Sequence, residues 1–455
     1  MFAKINFHDE FYQKLKLLVL PITMQQFMLA LVSATDAIML GAVSQTSLSA
    51  VSLAGQIQFV LNLFISGISA GSGIMAAQYW GKKDAASIEE VMPIALRTNL
   101  IFSGAFTVFA AVAPEVLMRI FTSDPALIES GAVYLRAVSL SYLLCGISQI
   151  YLILLKNTGY ATVSSRISCT AVVVNIICNA ILIYGLLGLP ALGIQGAAYA
   201  TVAARLVELV WSYLETKQSG RVQIIWKKMF RAADAVLTKD FWRYTTPVLG
   251  AALVWGIAYV SYSVIMGHMG SDAVAANSIT TIAKNMLSCL IRGVSGGAGV
   301  LIGNLLGAGE LDKAKVYGGR LTRMAIVVGM TTGGLLMLIS PLIVRFAPLS
   351  ETAAEDRPYL LSFCGCNIMA QSVNTTVLDG IFCAGGDSKF DMKGNLGAMW
   401  CFSVPFGFFA AFVLKWPVMV VYCIVNLDEI VKIPAVYLHY KKYIWVRNIT
   451  VQEDA

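Results

Sequence analysis

The chain has 455 residues, 57% of them hydrophobic and only 13% charged, with a formal net charge of +7 and a mean hydropathy of +0.72. Soluble domains carry roughly a quarter charged residues, so this composition leaves too little polar surface for water and excludes a soluble globular protein. Apolar runs of about 20 residues, enough to span the hydrocarbon core as a helix, recur along the chain and do not alternate, which excludes a β-barrel.

Met1–Lys16 is polar and mixed in charge, and no small-residue cleavage site follows it, so no cleavable signal is expected. Spans are then predicted at about 14–40, 48–79, 91–113, 130–155, 162–187, 192–214, 241–267, 272–306, 317–346, 356–383, 393–414 and 416–440. The expected fold is an all-α polytopic membrane protein, with twelve transmembrane helices in two pseudo-symmetric six-helix bundles. The longest polar stretch, Glu215–Asp240, carries Lys217, Arg221, Lys227, Lys228, Arg231 and Lys239. It divides the chain into a first half (1–215), a cytoplasmic linker (216–240) and a second half (241–455).

Span 1 holds Pro21, which frees a carbonyl and bends the helix, and Asp36 among apolar or small neighbours near the outer end. A charge inside the bilayer costs several kcal/mol and persists only with a partner or a task, so Asp36 is the leading candidate to exchange a proton, a cation and a cationic substrate. Met24, Met28 and Met39 offer either an adaptable lining or ordinary core. Span 2 is rich in small residues from Ser66 to Gly81, a pattern that permits either close backbone packing or bending. On span 5, Asn175 and Asn179 stand one turn apart on one face, where their amides could bond Asp36, coordinate a cation or join helices. Arg97, Arg205 and Glu208 read as structural. Span 7 repeats the proline at Pro247. Lys284 and Arg292 lie two turns apart on span 8, and Asp379 on span 10 is a partner for either. The expected cavity lining is Asp36, Gln26, Met39, Trp255, Tyr259, Lys284, Arg292 and Asp379.

The two halves repeat without a gap over their first two spans. Pro21 and Pro247 stand 226 residues apart, as do Gly41 and Gly267, Gly67 and Gly293, Gly71 and Gly297, and Gly81 and Gly307. Repeats of one orientation, related by an axis along the membrane normal, are a transporter signature. Under this shift Asp36 corresponds to Tyr262, so the proposed ion chemistry belongs to the first half. Lys and Arg concentrate in the loops after even-numbered spans, while the opposite loops hold little beyond Arg119, Arg345, Arg357 and Lys415. This distribution predicts cytoplasmic termini. Basic residues scattered over short loops argue against nucleic acid.

The nine cysteines fall in apolar runs, and Cys364-Gly365-Cys366 has no histidine neighbour, so reduced buried thiols are expected and no metal site. The Asn374 and Asn448 sequons carry no expectation. No phosphate-cradling Gly-rich loop ending in Gly-Lys-Ser/Thr is present, so the energy source is expected to be an ion gradient. An intramembrane enzyme would need a nucleophile–base or metal constellation. His8, His268 and His439 all lie near span ends, so no enzyme is expected.

The runs Thr35–Gly41, Ala76–Gly81 with Asp84, Leu155–Gly159, Val174–Asn179, Leu192–Thr201, Ile265–Gly267 through Gly307–Gly309, and Cys383–Lys389 resemble the MATE (multidrug and toxic compound extrusion) transporters. Their superfamily also holds lipid-linked oligosaccharide flippases. The likeness spans nearly all of the chain and weakens after about residue 395. It implies cation- or proton-coupled drug export and an essential acid on span 1, here Asp36. Some members carry Asn and then Asp on span 5, where this chain has Asn175 and Asn179. The NorM-type branch uses acids on spans 7 and 10. Here Trp255 takes the span 7 position and Asp379 is offset, which places the chain closer to the DinF-like branch.

The resulting expectation is a monomeric antiporter of the inner cell membrane, surrounded by lipid. It would export drug-like, amphipathic organic cations in exchange for Na+ or H+ and would use no cofactor. The alternative is a flippase for lipid-linked oligosaccharide or lipid. That activity asks for a dense cationic lining, to which Lys284 and Arg292 contribute little.

Overall fold

The computed structural model describes residues 9–231, 234–269, 271–346 and 357–451, with side chains described outside 271–280, 340–346 and 357–362. His8 therefore lies outside the described residues, as do the side chains of Arg345 and Arg357. No strand occurs among the described residues.

The first six membrane helices are α1 (Glu10–Val43), α2 (Gln45–Gly81), α3 (Ala85–Val112), α4 (Pro125–Asn157), α5 (Ala161–Tyr184) and α6 (Ile194–Thr216). After the short helix Trp226–Met229 come α7 (Ala235–Gly267), α8 (Ser271–Gly307) and α9 (Leu311–Phe346). Helix α10 runs as Arg357–Thr375 and continues with π-helical pitch through Thr376–Phe382. Helix α11 is Ser388–Val413, with π-helical Leu396–Ser403 and Phe409–Val413 inside it. Helix α12 is broken into Val418–Val425 and Asp428–Tyr440.

Among the described residues nine helices are long and apolar enough to cross a membrane. The other three are α6, which carries Arg205, Glu208 and Glu215, and the interrupted α10 and α12. Together they make the twelve spans. Helix α9 begins at Leu311, six residues before the expected start at 317, because Asp312, Lys313 and Lys315 are polar but tolerate helix. Short polar residues set the starts. Ser44 accepts from Ser47 N at 3.0 Å and Asp84 from Ser87 N at 3.1 Å. Asp124 accepts from Ala126 N at 2.9 Å, with Pro125 in the first turn of α4.

The chain packs as two compact units. One is Phe27–Leu249; the other is Gly250–Ala455 together with the chain up to Gln26. Two helices thus change unit along their length, α1 after Gln26 and α7 after Leu249. The start of α1 (Phe11, Leu15, Val19) is buried against Val294, Ala298 and Leu301 of α8. Its far end contributes Leu40 to a core with Ala54, Leu61, Leu135 and Tyr142.

The glycines of α2 and α8 are the surfaces that receive these crossing helices. A Cβ added to Gly67 would lie 2.8 Å from the Cα of Leu249, and one on Gly71 would lie 2.7 Å from the Cα of Thr245. In the other unit, a Cβ on Gly293 would lie 3.0 Å from the Cα of Thr23, and one on Gly297 would lie 2.9 Å from Val19 Cγ2. Leu249 follows Thr23, and Thr245 follows Val19, by the same 226 residues that separate Gly67 from Gly293. The repeat is therefore written in packing as well as in sequence. At Gly67, Gly71 and Gly293 the small-residue stripe serves close backbone approach, and at Gly297 it makes room for the Val19 side chain.

Candidate functional site

Asp36 stands on the part of α1 that packs in the Phe27–Leu249 unit. Its Oδ1 accepts a 2.6 Å hydrogen bond from Asn179 Nδ2, and the same amide nitrogen reaches Asn175 Oδ1 at 3.1 Å. Asn175 Nδ2 in turn reaches Thr201 Oγ1 on α6 at 3.4 Å, and Thr201 donates to Ala197 O at 3.0 Å. The Tyr134 hydroxyl of α4 also bonds Thr201. One turn of α5 therefore presents Asn179 to Asp36 and sets Asn175 behind it, joined to Asn179 and to Thr201.

Both asparagines are buried, and Asn179 Oδ1 has no hydrogen-bond partner among the described residues. The site thus joins a half-buried carboxylate to an unsatisfied amide oxygen. Carboxylate and carbonyl oxygens are the ligands that hard monovalent and divalent cations take. A carboxylate with one committed oxygen can equally take a proton. The Tyr184 hydroxyl donates to Met39 O at 3.0 Å, tying α1 to α5 one turn from Asp36.

Deeper on α6, Arg205 and Glu208 form a 2.6 Å ion pair, and Ser148 and Ser168 donate to Glu208 at 3.3 Å each. This is a closed, self-satisfied network, in keeping with a structural reading of the pair.

The remaining expected cavity residues belong to the other unit. Gln26 is half-buried at the end of that unit's share of α1. Trp255 stacks on Tyr259 with centroids 5.5 Å apart and an interplanar angle of 17°, and the Tyr259 hydroxyl bonds Thr281. Arg292 is exposed and lies within electrostatic reach of Tyr259 and Asp379. Lys284 makes no ion pair with Asp379, the one acid named for it, among the described residues. Its Nζ donates to Asn367 Oδ1 at 2.8 Å and Asn426 Oδ1 at 3.4 Å. Pro21 and Pro247 each lie inside a continuous helix, a few residues before the point where that helix changes unit.

Four charged residues escaped the sequence reading: Asp391 on α11, and Asp428, Glu429 and Lys432 on α12. Lys432 Nζ lies 3.4 Å from Asp428, 3.0 Å from Glu429 and 3.1 Å from Asn395 Oδ1. Asn395 Nδ2 reaches Asp391 at 3.1 Å. The signal was present in the sequence, because residues at i, i+3 and i+4 share a helix face and three such charges sit inside an apolar run.

Comparison with known proteins places this architecture. The sequence model of the MatE family matches residues 21–181 and again 247–409, so the two matches start at Pro21 and Pro247. "Uncharacterized transporter YisQ" of Bacillus subtilis is 22% identical over 413 residues, covering 91% of this chain and 90% of that protein. "Probable multidrug resistance protein NorM" of Pasteurella multocida is 23% identical, covering 87% of this chain and 85% of its own length. The solved structure of a MOP superfamily transporter from Pyrococcus furiosus superposes with a TM-score of 0.85 at 18% identity, covering 95% of each chain. The double family match, on a polytopic helical chain whose halves pack as a repeat, shows that the chain belongs to the MATE family of membrane transporters.

Proposed function

We propose that this transporter is a secondary active antiporter that exports amphipathic organic cations in exchange for Na+ or H+, with Asp36 as the coupling group. The observation that carries the reading is the 2.6 Å contact of Asn179 with Asp36, backed by Asn175 and Thr201 and left with one unsatisfied amide oxygen. Ion binding at Asp36 changes its bonding to α5. Because α1 belongs to one unit before Gln26 and to the other after it, a change of bend at Pro21 would be felt in both. Substrate and ion then compete for the same carboxylate, which is the minimum requirement for exchange.

The Lys and Arg distribution supports an inner-membrane protein with both termini in the cytoplasm. A flippase for pyrophosphate-linked lipid is disfavoured, because the Lys284 ammonium is committed to two asparagines. The test is efflux of a cationic dye from cells producing the wild type or Asp36→Asn. Loss of gradient-driven export in the variant supports the reading, and unchanged export overturns it.

A further inference from the structure

Helix α3 carries a cation for which the fold offers no partner. Arg97 is exposed, and its guanidinium makes no hydrogen bond or ion pair among the described residues. The helix packs on α2, on α4 and on the short linker helix Trp226–Met229. Arg97, Ile101, Gly104, Val108 and Val112 follow one another at the spacing of a single helix face. Ile101 is 64% exposed, Val108 59% and Val112 76%, and a Cβ added to Gly104 would meet nothing within 4 Å. On a membrane-spanning helix such an apolar stripe lies against acyl chains. A charge at its head costs several kcal/mol unless a counter-charge meets it. Helical side chains lean toward the N-terminus, which in α3 is the end beside the linker. A long arginine side chain there snorkels to the headgroup level.

The linker brings more positive charge to the same end of α3. Glu90 stands seven residues before Arg97, on the same face and two turns nearer the helix start. Its carboxylate holds Lys228 Nζ at 2.7 Å, and Glu89 lies 4.0 Å from the same nitrogen. Trp226 Nε1 donates to the Tyr151 hydroxyl of α4 at 2.7 Å, and Met229 is buried. These contacts fix the short helix to the bundle. Phe230, at its end, is nevertheless 84% exposed. Lys227 and Arg231 are exposed too, and neither side chain has a partner among the described residues. An exposed aromatic ring among cations is the composition of a segment lying in the headgroup layer. Arg97, Lys227, Lys228 and Arg231 stand here with only Glu89 and Glu90, so the patch is net positive. Asp234, the next acid along the chain, is turned to the start of α7, where its Oδ1 accepts from Val236 N at 2.8 Å. Basic patches of this kind at the ends of membrane helices recognise anionic headgroups. A soluble phosphate would leave both Phe230 and the apolar stripe unused.

We propose that this face of α3, with the linker helix, is a binding site for an anionic glycerophospholipid. Arg97, Lys227 and Arg231 take its phosphate, and the stripe from Ile101 to Val112 takes an acyl chain. The proposal does not depend on Asp36, and its test is separable from transport. Melting of the purified protein in uncharged detergent, titrated with phosphatidylglycerol, phosphatidylethanolamine or soluble glycerol 3-phosphate, reads the site through the stability that a bound ligand adds. Phosphatidylglycerol is expected to raise the melting temperature saturably, phosphatidylethanolamine to do so less, and glycerol 3-phosphate not at all. In Arg97→Leu, and in the double variant Lys227→Gln/Arg231→Gln, the apparent affinity for phosphatidylglycerol is expected to fall about fivefold or more. Leucine suits the apolar stripe and the linker changes lie at exposed positions, so both proteins are expected to fold. Lys315→Gln, which removes an exposed cation of α9, is expected to keep the wild-type affinity. Equal stabilisation by phosphatidylethanolamine, or by glycerol 3-phosphate, overturns the proposal. So does unchanged affinity in Arg97→Leu or in the double variant, and so does an equal loss in Lys315→Gln.

Discussion

Replacing Gly71 with alanine tests whether the crossing helices are held by backbone contact. The added Cβ would stand 2.5 Å from Thr245 Oγ1 and 2.7 Å from both Thr245 Cα and Cβ. Carbon atoms pack comfortably at about 3.5–4.0 Å, so α2 and α7 must part by about 1 Å along this contact. Rotating Thr245 moves the hydroxyl but not the Cα, so the strain cannot be relieved by a rotamer. Overpacking of this kind costs about 1–3 kcal/mol. In a unit of this size each kcal/mol lowers the melting temperature by roughly 2–4 °C, which predicts a drop of about 2–12 °C. The control is Gly104 in α3, where an added Cβ meets nothing within 4 Å. There alanine gains helix propensity of up to about 1 kcal/mol and leaves melting unchanged or raised. Circular dichroism melts of the detergent-purified variants make the comparison. A Gly71→Ala protein as stable as wild type, or an equal loss in Gly104→Ala, refutes the account of the small-residue stripe.

Other consequences are as direct. Asn179→Leu removes a hydrogen bond to a carboxylate, worth about 1.5–3 kcal/mol, so initial rates of gradient-driven export into vesicles should fall about tenfold or more. Thr201→Val, one neutral hydrogen bond further away, should cost about fivefold in the same assay. Lys432→Met leaves buried carboxylates without their cation and should destabilise the protein by about 3–5 kcal/mol, with partial recovery in Lys432→Met/Glu429→Gln; equal melting temperatures for wild type and the single variant would contradict this. Asp9 caps the start of α1, and the Phe11 N–H and the Arg320 guanidinium hold its carboxyl below the ordinary range. A depressed carboxyl adds stability that is present above the unfolded value of about 3.9 and is lost as pH falls through the folded value. Melting curves of wild type should therefore fall below about pH 4 more steeply than those of Asp9→Asn.

Much of this architecture was legible in the sequence because a membrane makes its demands locally. A helix in lipid must be apolar over about 20 residues, so span positions could be read from hydropathy alone. The repeat was legible from glycines and prolines in register, and the α5 face from the spacing of Asn175 and Asn179. What the glycines touch was not legible. Thr245 and Leu249 reach α2, and Val19 and Thr23 reach α8, through contacts distant along the chain, and nothing in a local pattern says which helix crosses over. The π-helical turns of α10 and α11 and the break at Asn426 also have no hydropathy signature. Lys284 and Asp379 do not pair for a related reason: sequence offers charges, whereas the fold gave this ammonium two amide oxygens from α10 and the α12 break. Lys432 and its acids were overlooked although their spacing was visible, because span 12 remained apolar enough on average to hide them.

The measurement that bears most directly on the antiport account is dye uptake into vesicles containing the purified protein, under an imposed Na+ gradient or pH gradient, with wild type and Asp36→Asn compared. The account predicts that at least one gradient drives uptake by the wild type and that neither drives it in Asp36→Asn, whose fold is preserved by melting. Gradient-driven uptake that persists at the wild-type rate in Asp36→Asn would contradict it.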